Sequence, residues 1–235
     1  MMKKGILGVL ILFNIFSVTS LVAQTKQEVL EIVQKRGAEL QNIDAYYKGD
    51  RDVVLAAVKQ HGSAIMYADK ALKNDREIAL AAVTEAGRAL KYIDKSLQKD
   101  REIVLAAVSN DGTSFRFVKK SFAKDKEMAR ATLKNSGMSL MYFDQSIKKD
   151  KELVILAINN NGMALGYADS SLKKDREVVL IAVNKTGIAL SKADRSLKKD
   201  KEIVIAAVKQ YSDAIKYADK SLRKDRDVLF AAMKQ

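Results

Sequence analysis

The 235-residue chain has no cysteine, no proline, no tryptophan and a single histidine. Without cysteine there is no disulfide framework, no thiolate zinc site, no thiol nucleophile and no lipid-modified Cys. One imidazole, His61, excludes multi-histidine metal sites. It stands just before a helix-ending Gly, where equivalent positions carry Ala86, Asp111, Ser136, Asn161 and Thr186. Such variety fits an exposed helix end better than a general base. The absence of proline over this length points to helices joined by short turns. No P-loop or Gly-x-Gly-x-x-Gly is present, so no nucleotide cofactor is expected. An apolar content of 48% is ample for a core and excludes a disordered chain.

Residues 1–23 read as a secretory signal peptide. Lys3 and Lys4 form a basic start, Ile6 to Phe16 a short apolar stretch, and Leu21-Val22-Ala23 a cleavage site before a polar start at Gln24. The apolar stretch is short for a membrane span of about 20 residues. The mature chain is expected to be exported, soluble, and periplasmic or extracellular.

A repeat of 25 residues organises the remainder. Asp50, Asp75, Asp100, Asp125, Asp150, Asp175, Asp200 and Asp225 recur without an insertion. Gly62, Gly87, Gly112, Gly137, Gly162 and Gly187 follow twelve residues behind, and Ser212 breaks that row. A second acidic row, Asp44, Asp69, Asp94, Asp144, Asp169, Asp194 and Asp219, is interrupted only by Lys119. Residues 24–49 read as a degenerate capping repeat with polar Glu28, Glu31, Glu39 and Asn42, and residues 50–235 as seven full units plus a half unit. Each unit predicts two helices. Asp75, for example, caps a first helix over Ile78 to Val83, Gly87 ends it in a left-handed conformation, and a second helix follows near Arg88 to Ile93. The first helix is apolar nearly all round, which predicts cover on most sides by its equivalents in neighbouring units. The fold class expected is all-α, an α-solenoid of tandem two-helix repeats preceded by a signal peptide.

The stretches Leu172-Lys173-Lys174-Asp175-Arg176-Glu177-Val178-Val179 and Asn161-Gly162-Met163-Ala164-Leu165-Gly166-Tyr167-Ala168-Asp169 resemble an uncharacterised repeat family, a domain of unknown function found in bacterial, protist and giant-virus proteins. The resemblance covers residues 50–235. It implies tandem helical repeats and implies no reaction. Lys119, Arg130, Lys192 and Ser212 depart from the pattern.

These features point to a non-enzymatic scaffold that offers an extended surface to a protein partner, with no small-molecule substrate, cofactor or metal. The Asp rows lack calcium-loop spacing, and capping accounts for them. The runner-up is an anionic polymer or membrane surface bound along a basic stripe at Lys148, Lys149, Lys173, Lys174, Lys198 and Lys199. One local patch stands out: Arg116, Lys119, Lys120, Lys124, Lys126, Arg130 and Lys134, interleaved with Phe115, Phe117 and Phe122. A row of Tyr67, Tyr92, Phe117, Tyr142, Tyr167 and Tyr217 is expected to pack between repeats. Self-association through apolar Val228, Leu229, Phe230 and Met233 is a further expectation.

Overall fold

A computed structural model describes residues 24–233. The expected signal peptide lies outside the described residues. Most units repeat three elements in one order, and the unit opening at Asp200 has only the first two. The unit opening at Asp50 has an α-helix, Arg51–Gln60, a 3-10 helix, Gly62–Tyr67, and a single turn, Leu72–Asn74. The next has Arg76–Glu85, Gly87–Lys91 and Leu97–Lys99, and the one after it Arg101–Asn110, Gly112–Phe117 and Lys120–Phe122. No strand occurs among the described residues.

The two helices expected per unit are present, and most units add a third element. The second element is a 3-10 helix, and a one-turn third element precedes the next Asp. The spacing explains it. Gly62, Ile65 and Ala68 are all buried, as are Gly87, Leu90 and Ile93, and Gly162, Leu165 and Ala168. Three residues per turn puts such a set on one line, whereas 3.6 would spiral it away from the core. The ten-residue helices follow the other period: Val53, Val54, Ala57 and Val58 are buried, and so are Ile103, Val104, Ala107 and Val108. Each such burial of a Val or Ile is worth about 1.5–3 kcal/mol.

The glycines also act differently from expectation. Among the described residues, none takes a left-handed backbone. The chain reverses instead through an extended residue before each glycine, such as Ala86 at φ −139°, ψ 100°. The glycine is needed because the next repeat lies against it. A Cβ at Gly87 would stand 2.3 Å from the Ala107 carbonyl oxygen, and one at Gly137 2.1 Å from that of Ala157. The missing side chain lets consecutive repeats close onto each other. Ser212 opens its 3-10 helix as the glycines do, but is half-buried where they are buried.

Residues 26–48 adopt the full element order, with Lys26–Lys35, Gly37–Asn42 and Ala45–Lys48. Thr25 and Glu28 form a reciprocal capping box on the first of these, and Glu39 accepts from the Asn42 amide at 2.9 Å. The long helices pack in chain order, each against those of the repeats before and after. The first helix is not covered as widely as expected. Leu55 and Ala56 remain half-exposed, with Asp52 and Lys59 open beside them. No described helix is long and apolar enough to cross a membrane.

Candidate functional site

The first acidic row does two jobs at once. Asp75 Oδ1 accepts from the backbone N–H groups of Glu77 and Ile78, which caps its helix, while Oδ2 receives the guanidinium of Arg51 from the preceding repeat at 2.8 Å. Arg76 reaches Asp100 and Glu102, Arg101 reaches Asp125 and Glu127, and Arg176 reaches Asp200 and Glu202. Lysine serves elsewhere: Lys151 bridges Asp175 and Glu177, and Lys201 bridges Asp225 and Asp227. Arg76 beside Asp100 holds that carboxyl below the usual carboxylate range, and Lys126 and Lys151 do the same for Asp150 and Asp175. Sequence reasoning missed this ladder. Its signal was a cation at the first helical position of every unit, 24 and 26 residues before two acids.

The second acidic row caps the third element. Asp94, Asp144, Asp169, Asp194 and Asp219 each accept from the backbone N–H two residues on. Their own N–H groups donate to the preceding repeat, Asp169 to the Lys148 carbonyl at 2.9 Å and Asp194 to that of Lys173 at 3.0 Å. Among the described residues, no group of three or more acidic or imidazole side chains is placed to hold a metal ion.

These pairings divide the basic stripe. Lys148 and Lys198 turn back to donate to the carbonyls of Met141 and Ser191, so they close their own repeats. Lys173 is half-buried at the equivalent place. Lys149, Lys174 and Lys199 are exposed, and the Asp169, Asp194 and Asp219 carboxyls of the following repeats are held low first by hydrogen bonds from Ser171, Ser196 and Ser221, with these lysines adding to the effect.

The local patch divides too. Lys126 pairs with Asp150 at 2.8 Å, and Arg130, exposed in place of the usual Leu or Ile, lies 3.6 Å from Glu152. Arg116 stacks over Phe117 at 4.5 Å. Lys134 is eight residues along the helix from Lys126, about 12 Å away along its axis. Lys124 faces Asp144 of the next repeat. Lys119 and Lys120 are exposed. Lys119 occupies the capping position of the second acidic row and caps nothing. Desolvation, then Lys99, then Lys95 push its ammonium pKa down. Phe115 is buried against Phe143, their rings stacked at 4.1 Å, while Phe117 and Phe122 are half-buried.

Of the aromatic row, Tyr67, Tyr92, Tyr167 and Tyr217 are half-buried and Tyr142 is exposed. Where Lys192 replaces the ring, its stem lies over Gly166, with Cδ 3.3 Å from where a Cβ would stand. His61 is exposed and ends its helix. Leu229 and Met233 are exposed on the Arg226–Met233 helix.

One surface runs through the repeats without pairing with itself. Leu55, Leu80, Leu105, Ile155, Leu180 and Ile205 line up half-exposed along the outward faces of the long helices, broken once by Arg130. An acidic row flanks it on one side, from Asp52 and Glu77 to Glu202, and a polar row on the other, from Lys59 and Thr84 to Lys209. Open grooves separate consecutive helices on this face. One of about 690 Å³ lies between Leu30 and Leu55, and one of about 330 Å³ is lined by Leu80, Ala81 and Thr84.

A family profile, the Domain of unknown function (DUF4116), matches residues 26–73, 75–123, 125–173, 150–198, 175–223 and 200–235. No curated protein and no solved structure matches the chain significantly.

Proposed function

This chain belongs to the DUF4116 family, and we propose that it is a non-enzymatic scaffold whose α-solenoid presents the outward helix face to a protein partner. The observation that carries this reading is the half-exposed aliphatic row from Leu55 to Ile205 between polar margins. An apolar centre with a charged or polar rim is the anatomy of a protein interface, and a solenoid repeats it at a fixed interval. The grooves between helices give a partner side chain somewhere to seat. We further propose that residues 1–23 direct export, which the mass of the mature chain recovered outside the cytoplasm would test.

The test uses photo-crosslinking amino acids placed at Leu80 and Leu180, with Lys149 and Lys174 as sites off this face. A single recurrent partner band from the first pair, lost on introducing Leu105→Glu together with Ile155→Glu, is expected. Equal crosslinking from all four sites would overturn the reading. Binding of an anionic polymer or membrane surface has less support. The Asp and Glu residues interspersed along this edge weaken the field of Lys149, Lys174 and Lys199, and that reading requires an affinity that falls steeply with salt.

A further inference from the structure

At two regular junctions the Asp carboxylate meets a residue 20 or 24 positions earlier. Two contacts define the locus. A Cβ on Gly49 would stand 2.8 Å from Asp69 Oδ2, and the Gln145 amide donates to Asp169 Oδ2. Cations occupy one or both of those positions before most of these acids: Lys124 before Asp144, Lys149 before Asp169, Lys174 before Asp194, and Lys199 and Arg195 before Asp219.

One junction keeps the cations and loses the acid. Lys119 stands where the Asp belongs, and the residues 20 and 24 positions earlier are Lys99 and Lys95. None of the three forms an ion pair among the described residues. The turn Lys120–Phe122 starts without a side-chain cap. The backbone bond that Asp94 and Asp144 donate to the preceding repeat is not made at Lys119. Three ammonium groups and an uncapped turn thus surround a position that elsewhere holds a carboxylate.

We propose that this junction binds a carboxylate from outside the chain, an acidic side chain of a partner protein that enters between Lys95, Lys99 and Lys119. It takes the place that Asp169 and Asp194 hold in their own repeats. A long polyanion fits less well. Asp94 and Asp144 occupy the equivalent loci one repeat away on either side, roughly 10 Å off, and repel a chain of charges running along the edge. A single acid, or two adjacent ones, meets only the cations.

The inference rests on the protein-partner reading above, but on a different edge of the repeats, so the two fail separately. Blocked tetraglutamate is titrated into the full chain at about 50 mM salt, where screening is modest, and the lysine side-chain NMR signals are followed. Shifts at Lys95, Lys99 and Lys119, with Lys174 and Lys199 unmoved, are expected. Lys119→Asp restores the repeat's own residue, so it should fold, and its affinity should fall about tenfold or more. Lys174→Ala should bind within about twofold of the parent. Unchanged binding by Lys119→Asp, or equal shifts at every exposed lysine, would sink the proposal. So would inorganic phosphate saturating the site more tightly than the peptide, since the locus would then be a phosphate site. None of these outcomes touches the crosslinking from Leu80 and Leu180.

Discussion

The stretch from Asp150 to Asp225 and the stretch from Asp100 to Asp150 share their long helices and 3-10 segments and differ in chemistry. In the first, the junctions repeat one formula, with Ser212 the one replacement of its glycine: a buried glycine against a carbonyl, an alanine behind it, a cation on two acids, and a carboxylate capping the turn. In the second, Thr132 stands where other helices carry Ala57, Ala107 or Ala157, and Ser114 where Ala64 or Ala164 is found. Both hydroxyls are fully buried and have no hydrogen-bond partner. Lys119 replaces the capping acid, and Arg130 breaks the aliphatic row. Yet the Lys126–Asn135 helix keeps its ten residues and its Asp125 cap. Backbone geometry here is set by the contacts between repeats, so one junction can lose several of its side-chain interactions while the units on either side hold its shape.

The largest expected effect attacks what both stretches share. Gly162→Ala places a Cβ 2.6 Å from the Ala182 carbonyl and 2.9 Å from Thr186 Cβ, neither of which is a flexible tip. A loss of about 3 kcal/mol is expected, read as a lower midpoint in urea. If Gly112→Ala proves just as costly, the irregular junction is packed as tightly as the regular ones.

Acid comes next, and it acts on the ladder. Carboxyls held low by their cations, such as Asp100, Asp150 and Asp175, contribute stability that is present above their unfolded values near 3.8. That contribution is lost as pH falls through the lower folded values. The melting temperature should therefore be flat from neutral pH to about 5 and drop below about 4. The drop should shrink in Arg76→Gln, which has less to lose. A melting temperature that rose on acidification would contradict the ladder.

Ser114→Ala and Thr132→Ala sharpen the contrast in the other direction. Each removes a buried hydroxyl without a partner and installs the residue used elsewhere, so each should stabilise the protein by about 1 kcal/mol. The reverse change in a regular unit, Ala157→Thr, should destabilise it. The smallest effect is expected from Lys119→Asp. It restores the cap and places a carboxylate beside Lys95 and Lys99, and should raise the melting temperature by a few degrees, less so in high salt.

Much of this was legible in the order of residues. The strict interval announced tandem units, the Asp at each helix start announced its cap, and Lys119 and Arg130 announced the odd junction. Three things were not. The glycine row suggested a left-handed turn, because a glycine after a helix has that meaning in most contexts; its real neighbour, a carbonyl 20 residues on, is invisible locally. The 3-10 character of the second helices was not legible because six residues are too few for 3.0 and 3.6 periods to separate cleanly. The aliphatic run of the long helix suggested cover all round, whereas Leu80 and Leu105 stay half-open.

Composition and period are local and additive, so the residue order settled that the chain is helical, how long each unit is and where each helix begins. Which side of a helix stays open, which cation meets which acid, and why a glycine is required depend on how far apart adjacent units sit. That distance comes from packing between units, and no stretch of a single repeat encodes it alone.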